Sequence, residues 1–392
     1  MKLFAQIGHG LGDKVTTGLE EKNLDGAIFS PKDLRKDTME IRISEIRQNY
    51  PNVEILVDPQ FYVSLYSNSP ETNIGNLSDW KFFRNYRKGD LELSQAVDQV
   101  LESYFKEIIS LKVTGIVAPN IYISQSFDSR EAVIAKNFVR QARKIYKGFS
   151  DNRPLFTSLV ICREALQDRR EFEEFINDIT VLDERPDGFY LIIAGRSSDA
   201  RSDIFHTDIV ANWMMLNMAL SVNGFTVFNG YSDILTPFLG AVGGTAGATG
   251  WWSNLRVFSI DRFFPSGGGR LPIMRYLSKS LLNRLTFSEK EAVSSFVPDV
   301  INNLPHDIDY NPEPERSKEV LQSWETLKAL NDELVSGDVS DDLTNCSKAI
   351  LRAEQVYNQV ASSGIVLDAK SRDDHLLPLK EGLRQFRERA EL

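Results

Sequence analysis

The amino-acid sequence predicts an α/β fold, a (β/α)8 TIM barrel over residues 1–265 with a C-terminal helical extension over residues 266–392. The stretch Val53–Tyr62, VEILVDPQFY, has the continuous apolar run of a parallel strand buried on both faces. Eight such runs alternate with helices over roughly 260 residues, which matches the size and period of this barrel. Gly8, Gly10 and Gly12 lack GxGxxG spacing, which disfavours an open, doubly wound sheet.

The individual elements are predicted from apolar runs bounded by Gly, Pro and polar residues. The predicted strands are Lys2–Ile7, Gly26–Ser30, Val53–Tyr62, Gly115–Pro119, Pro154–Ile161, Gly188–Ala194, Gly224–Asn229 and Ala248–Trp252. The predicted barrel helices are Thr38–Asn49, Leu91–Leu111, Arg130–Tyr146, Arg169–Leu182, Asp208–Val222 and Asp233–Ala241. Gly267–Gly269 lies in the hinge to the extension, for which four helices and no strands are predicted: Met274–Leu285, Glu315–Leu334, Asp341–Ser362 and Leu376–Ala390.

Composition limits the classes of function. The net charge of −10 argues against broad nonspecific binding of nucleic acid, although a local basic cleft stays open. Two cysteines without CxxC spacing, and four scattered histidines without an HExxH motif, predict no disulfide framework, no metal site and no cofactor. The N-terminus has no signal-peptide pattern and no apolar run reaches about 18 residues, so we expect a cytoplasmic protein with no membrane span.

Asp58 is the strongest candidate for a catalytic residue. It follows the predicted third strand, and barrel enzymes carry their chemistry where parallel strands open into loops. A carboxylate in that position can accept a proton or recognise a base. Gln60 and Tyr62 alternate with it and can hydrogen-bond a planar ligand. The alternative is that Asp58 only forms an Asp-Pro turn with Pro59.

Further candidates for substrate binding follow the later strands. Arg196 comes after strand six and suits a phosphate or carboxylate, or else pairs with Asp199 or Asp203. At strand eight, Trp252 can stack on a base while Asn254 and Arg256 bind its polar groups. The alternative for the Trp251–Trp252 pair is packing in the core and under a loop.

Glycines near the last two strands are candidates for phosphate binding. Gly230 follows strand seven, and Gly243 and Gly244 precede strand eight. Many barrels hold phosphate in this region on backbone N–H groups and a short helix. Glycine in these positions can equally serve tight packing.

Taken together, the strands resemble those of the tRNA-guanine transglycosylase family, barrels that exchange a guanine base in nucleic acid through an aspartate nucleophile. The family's ILTDSGGFQ-like strand three is similar to Ile55–Val63, and its LFGIVQGG segment to Leu155–Arg163 followed by Asp168. Its DGYAIGGLAVGE segment is similar to Asp187–Arg196, and its GTPEDLL turn to Gly230–Leu235. The resemblance covers residues 1–260, by position and hydrophobic pattern more than by identity.

The resemblance implies functional positions that this chain fills only in part. Asp58 matches by residue type, and Asn120 stands near the family's base-recognising aspartate. The segment that corresponds to the nucleophile is Ala248–Arg256, ATGWWSNLR, which has no carboxylate, and the family's zinc-binding cysteines are missing. A covalent glycosyl intermediate needs a carboxylate at the sugar carbon. Asp233, one turn earlier, is the candidate substitute.

Three hypotheses for function follow, and the sequence leaves open whether the protein is an enzyme. The first is a barrel that recognises or acts on a nucleobase or nucleotide, free or within nucleic acid, with Asp58 at its centre. The second is a catalytically inactive partner subunit of a multiprotein system, bound through the C-terminal helices. The third is an unrelated barrel lyase or hydrolase acting on a phosphorylated metabolite.

Overall fold

The computed structural model describes residues 1–67, 69, 71–197, 205–265, 272–308 and 315–392. Gly267–Gly269, Asp199 and Asp203, which figured in the sequence analysis, lie outside these described residues, so the proposed hinge and the Arg196 ion pairs stay predictions. No helix in the described ranges is long and apolar enough to cross a membrane.

Twelve strands and fourteen α-helices form the described part of the chain. The strands are β1 Lys2–Gln6, β2 Gly26–Phe29, β3 Glu54–Val57, β4 Ile116–Ala118, β5 Tyr122–Ile123, β6 Leu155–Cys162, β7 Gly188–Gly195, β8 Thr226–Gly230, β9 Ala246–Thr249, β10 Phe258–Ser259, β11 Arg275–Ser278 and β12 Asn283–Thr286. The helices are α1 Lys14–Glu20, α2 Lys36–Asn49, α3 Lys88–Leu91, α4 Ser94–Ile108, α5 Arg130–Tyr146, α6 Arg169–Thr180, α7 Thr207–Val222, α8 Thr236–Gly240, α9 Ser253–Arg256, α10 Phe287–Ser294, α11 Pro305–Ile308, α12 Arg316–Leu334, α13 Val339–Ser362 and α14 Leu376–Ala390.

Eight parallel strands make a nearly closed barrel in the order β3-β2-β1-β9-β8-β7-β6-β4. The remaining gap lies between β3 and β4. Thr114, just before β4, spans it: its backbone N–H donates to the Ile55 carbonyl at 2.9 Å, and its Oγ1 accepts from the Ile55 N–H at 2.7 Å. The predicted (β/α)8 fold is therefore confirmed.

Apolar side chains fill the amino-terminal half of the barrel. The Phe228 ring on β8 packs against Phe4 at 5.5 Å and Phe156 at 4.8 Å, measured between ring centroids. All three residues are buried. The barrel interior is consequently a packed core at this end, and polar side chains collect towards the other end.

The extension packs directly on the barrel. Trp324 of α12 is fully buried, and its Nε1 donates to the Thr249 carbonyl at 3.3 Å. Helix α14 lies along α7, where Gly382 allows close approach: a Cβ at that position would stand 2.7 Å from the Cβ of Val210. One continuous cluster of buried apolar residues includes both parts of the chain.

The helix predicted over Met274–Leu285 is wrong, because this segment forms an antiparallel hairpin of β11 and β12. The N–H and C=O groups of Leu277 both bond to the Gln322 side chain of α12, at 3.0 and 2.8 Å. Tertiary hydrogen bonds from a distant helix thus support the extended backbone. The spacing of apolar residues within so short a segment does not reveal hydrogen bonds to a distant helix.

Candidate functional site

Five buried side chains meet at the carboxyl end of the barrel. We refer to Asp33, Asp58, Tyr62, Tyr231 and Arg262 as the mouth cluster. They follow strands β2, β3 and β8 and the short strand β10, so the fold brings them together from widely separated positions in the sequence. This is the end of the barrel where catalytic groups of the fold are normally found.

Asp58 lies at the centre of this end, one residue beyond β3, and is completely buried. Its backbone N–H continues the sheet by donating to the Phe29 carbonyl at 3.0 Å. Its carboxylate accepts hydrogen bonds from the Gln60 N–H at 3.1 Å and the Tyr62 hydroxyl at 3.0 Å. Burial raises the pKa of Asp58 to about 6, although these hydrogen bonds oppose the shift.

Arg262 lies in the turn Ile260–Phe263, which follows β10 and covers the mouth. Its guanidinium donates to Asp33 Oδ2 at 2.8 Å and to the Tyr231 hydroxyl at 2.6 Å. The guanidinium carbon also lies 5.6 Å from the Tyr231 ring and 5.5 Å from the Phe263 ring. The positive charge of Arg262 therefore partly balances the negative charges of the two buried carboxylates, Asp33 and Asp58.

A chain of hydrogen bonds joins Gln60 to Asp33. Gln60 Nε2 donates to Ser30 Oγ at 2.8 Å, and Ser30 Oγ donates to Asp33 Oδ2 at 2.8 Å. His9, whose side chain is 71% exposed, places its Nε2 3.1 Å from Asp33 Oδ1. The mouth cluster therefore has a direct polar link to solvent through His9.

Within the part of the chain that the structure describes, two buried donors at the mouth have no hydrogen-bond partner. They are Gln6 Nε2 and Arg262 Nε. The Tyr190 hydroxyl, deeper in the barrel, donates to Gln6 Oε1 at 3.1 Å and leaves the amide nitrogen of Gln6 unpaired. Buried donors of this kind are usually satisfied by an ordered water or a ligand.

Backbone strain accompanies these side chains. Gln60, Tyr231 and Asp233 have φ angles of 52°, 55° and 40°, in the left-handed region that non-glycine residues rarely adopt. All three lie within three residues of the carboxyl end of a barrel strand. Such conformations cost on the order of 1–3 kcal/mol each and cluster at functional sites.

Asp233, the candidate nucleophile, is engaged in a buried ion pair. Its two carboxylate oxygens accept from Arg284 of β12 at 2.5 and 2.8 Å, and Thr249 Oγ1 donates to it at 2.8 Å. Burial alone would raise the pKa of Asp233, but Arg284, Arg256 and the Thr249 hydroxyl together outweigh it and the pKa is lowered. The arrangement fixes the carboxylate to the extension, and its role as a nucleophile stays a prediction.

The candidates after strand eight also contact the extension. Arg256 donates to Glu319 of α12 at 2.8 Å, and the Trp252 ring lies 5.6 Å from the Arg316 guanidinium. Asn254 Oδ1 is buried without a hydrogen-bond partner. These contacts connect the barrel rim to α12, which is consistent with a structural role.

Asn120 and Arg196 form the hydrogen bonds described here with residues outside the mouth cluster. Asn120 is buried after β4, with its amide bonded to Ile121 N–H at 2.8 Å and the Ala135 carbonyl at 3.3 Å. The Arg196 side chain is 69% exposed and donates to Glu164 at 2.8 Å. Neither side chain shares a hydrogen bond with Asp58.

The three candidate phosphate-binding glycines do not lie together. Gly230 ends β8 at the mouth, whereas Gly243 and Gly244 precede β9 and lie at the opposite end of the barrel. A Cβ at Gly230 would stand 2.6 Å from the Tyr190 hydroxyl, and one at Gly243 would stand 2.5 Å from Ser221. Tight packing explains both positions, and no single phosphate site contains all three glycines.

Sequence reasoning found Asp58, Gln60 and Tyr62 but missed Asp33 and Arg262 as partners. Asp33 could have been found, because it follows β2, the strand that pairs with β3. In that pairing Phe29, the last residue of β2, lies beside Val57, the residue before Asp58. Arg262 lies beyond the last barrel strand and carried no such signal. Within the described ranges, no three His, Cys, Asp or Glu side chains gather as a metal site.

The chain is thus defined as a (β/α)8 barrel with a buried, ionisable mouth. No protein-family model and no curated protein matches its sequence. Among solved structures, an HpcH/HpaI aldolase from Desulfitobacterium hafniense DCB-2 is 11% identical, covering 64% of this chain and 85% of its own, with a TM-score of 0.34.

Two further structural matches are equally distant. A glycoside hydrolase family 3 β-N-acetylglucosaminidase from Paenibacillus sp. str. FPU-7 is 10% identical, covering 96% of this chain and 66% of its own, with a TM-score of 0.39. A monomeric dihydrodipicolinate synthase variant is 10% identical, covering 93% and 97%, with a TM-score of 0.33. Such values carry no inference about activity, and the fold assignment rests on the strand order and register.

Proposed function

We propose that this barrel recognises a nucleobase, free or as part of a nucleoside, nucleotide or polynucleotide, with Asp58 as the central contact. The observation that carries the proposal is a fully buried carboxylate with a pKa raised to about 6 at the barrel mouth. Structural carboxylates are normally paired with a cation, whereas Asp58 accepts only from a backbone N–H and a tyrosine. A buried carboxylate that has no hydrogen bond from a cation is suited to a ligand that donates hydrogen bonds.

The surroundings of Asp58 suit a flat, polar ring. Tyr62 packs edge-to-face against Phe258 at 5.3 Å and Phe263 at 5.9 Å, so aromatic surface lies beside the carboxylate. A nucleobase combines an aromatic face with N–H and C=O groups on its edge, which match these rings, the carboxylate and the Gln60 amide. Entry requires the turn Ile260–Phe263 to move away from the mouth.

The resemblance to the tRNA-guanine transglycosylases supports the same ligand class through Asp58 and the strand order. Chemistry at the sugar carbon by the family's route lacks support, because Ala248–Arg256 has no carboxylate. A carboxyl group with a pKa near neutrality is suited to general acid–base catalysis instead. We therefore propose base recognition first, with proton transfer by Asp58 as the reaction step.

A thermal-shift panel of nucleobases, nucleosides, nucleotides and sugar phosphates tests this function. A ligand at about 100 times its dissociation constant stabilises by about 2.7 kcal/mol, a readily measured shift. We expect a nucleobase-containing compound to raise the Tm of the wild type but not of Asp58→Asn. Glu107→Gln is the matched control, because Glu107 is also a buried carboxylate but bonds to Lys36 and has no hydrogen bond with the mouth cluster in the described residues. A shift retained in Asp58→Asn would contradict the proposal.

A second candidate function is that of a partner-binding subunit. The closed mouth favours it, since Asp58, Tyr62 and Tyr231 are at most 1% exposed. In this alternative the mouth cluster serves stability, and the helices α12–α14 contact another protein. The panel would then give no shift with any compound, and a protein partner would co-purify through α13 and α14 and be lost on substitution of their exposed residues.

A further inference from the structure

Lys32 is an unusual lysine at the mouth of the barrel. It lies three residues beyond β2, at the carboxyl end of the strand, and is only 6% exposed. Its Nζ lies 5.6 Å from the centre of the Phe263 ring, beneath the turn that covers the mouth. Lysine is among the residues least often buried, and a buried one is normally paired with a carboxylate.

Lys32 forms a long ion pair with Asp33. Its nearest carboxylate oxygen is Asp33 Oδ1 at 3.7 Å, beyond hydrogen-bond distance. Asp33 already accepts from Arg262 and Ser30 at 2.8 Å each and faces His9 at 3.1 Å. The Asp33 carboxylate therefore interacts with several donors at once, so it neutralises the charge of the Lys32 ammonium only in part.

The surroundings of Lys32 make its charged ammonium form less favourable than that of an exposed lysine. Burial lowers its pKa; Asp33 opposes this effect, and the nearby positive charge of Arg262 adds to it. Desolvation combined with a neighbouring cation is the established way in which proteins activate a lysine as a nucleophile. Among the other lysines with lowered pKa, Lys14 is half-buried and donates to the carbonyls of Gly10 and Leu11.

We propose that Lys32 is an imine-forming amine that reacts with the carbonyl carbon of an aldehyde or ketone admitted to the mouth. This inference goes beyond the proposed function, since it concerns covalent chemistry and does not require base recognition. The geometry that supports it is a buried amine at the carboxyl end of a barrel strand, with a carboxylate 3.7 Å away to move protons.

The reaction balances without an oxidant or a reductant. The nitrogen lone pair of Lys32 adds to the carbonyl carbon, and Asp33 carries one proton from the nitrogen to the carbonyl oxygen, which becomes the hydroxyl of a carbinolamine. Asp33 then carries the second amine proton from the nitrogen to this hydroxyl, which departs as water when the nitrogen lone pair forms the C=N bond. Amine and carbonyl compound thus give imine and one water.

Reductive trapping tests the proposal on the full chain. The protein is incubated with glyoxylate or pyruvate and sodium cyanoborohydride, and modified lysines are located by peptide mass mapping. We expect Lys32 to be modified. As pH is raised, the modification rate at Lys32 should begin to rise at a lower pH than the rate at Lys81, which is an exposed lysine. The result that overturns the proposal is an unmodified Lys32 under conditions that modify Lys81, or identical pH profiles for the two.

Variants provide a second measurement. Lys32→Arg keeps the positive charge but cannot form an imine, and Lys32→Met keeps the length of the side chain. Both should lose the trapped adduct at this peptide, while Lys36→Arg, a control at the neighbouring lysine that pairs with Glu107, should keep it. Mapping of the wild type alone decides the question if either variant fails to fold. Nucleobase binding is measured separately, so the two proposals can fail independently.

Discussion

Asp58 and Asp33 are two buried carboxylates with different partners. Asp33 is paired with Arg262, whereas Asp58 is bonded to uncharged groups only. For Asp58, burial outweighs the hydrogen bonds from Gln60 and Tyr62 and the more distant charge of Arg262, which explains the raised pKa. An acid in this state is a cost to the fold at neutral pH, which is typical of a site kept for function.

The pH dependence of stability tests this assignment. The folded-state pKa of Asp58 is about 6, above its ordinary value of 3.8. Its contribution to stability is therefore fully present below about pH 4 and lost as pH rises through 6. Relative to the wild type, Asp58→Asn should gain roughly 3 kcal/mol in unfolding free energy between about pH 4 and pH 7.

Urea denaturation of both proteins across this pH range measures the effect. Asp79→Asn serves as the control, because Asp79 is exposed and should follow the wild type at every pH. A difference between Asp58→Asn and wild type that stays constant with pH would show that Asp58 does not titrate in this range.

At the scale of single residues, the sequence pointed to three neighbouring residues of the candidate site but not to their partners, and the functional role of all of them stays a prediction. Asp58, Gln60 and Tyr62 follow one strand, so a local pattern was sufficient to find them. Asp33 and Arg262 are 229 positions apart and meet only because the barrel closes and the turn Ile260–Phe263 folds back over it. No local spacing encodes such a contact.

At the scale of elements, the hairpin of β11 and β12 is the main feature that sequence periodicity missed. Arg284 on β12 reaches the barrel rim and forms the buried pair with Asp233. The predicted catalytic aspartate thereby anchors the hairpin. A helix over Met274–Leu285 would not offer Leu277 N–H and C=O groups to Gln322, and these contacts favour the strand.

Removing one member of this pair should destabilise the fold strongly. Asp233→Ala removes the carboxylate that accepts from both Arg284 terminal nitrogens, and breaking a buried ion pair in this way typically costs about 3–5 kcal/mol. Asp178→Ala, which breaks an exposed pair with Lys136, should cost about 1 kcal/mol or less. Chemical denaturation measures both variants.

A double substitution separates structure from catalysis. Asp233→Ala combined with Arg284→Met removes both charges and should recover part of the lost stability. Equal stability of Asp233→Ala and wild type would contradict the anchoring role and strengthen the interpretation of Asp233 as a nucleophile.

At the scale of the whole molecule, the sequence predicted the barrel and the order of its strands, because eight buried parallel strands leave a strong apolar signal. It predicted the extension as a separate region, and the boundary at residue 265 stays a prediction. The structure shows extensive packing between the two parts through Trp324, the Arg256–Glu319 pair and the α7–α14 contact.

This packing predicts that the barrel region depends on the extension. A fragment of residues 1–265 would expose the surface beneath Trp324 and leave Asp233 and Arg256 without their charged partners. We expect the full chain to unfold in one transition by circular dichroism and tryptophan fluorescence, and the fragment to lack a cooperative transition. A soluble fragment with cooperative unfolding would show that the extension is an independent unit.

Base recognition by Asp58 is tested by calorimetric titration of wild type and Asp58→Asn with the nucleobase compound that gives the largest thermal shift. A hydrogen bond to a charged group contributes about 1.5–3 kcal/mol, so the substitution should weaken binding about tenfold or more. Equal affinity for both proteins, or no binding by any nucleobase compound, would contradict the account.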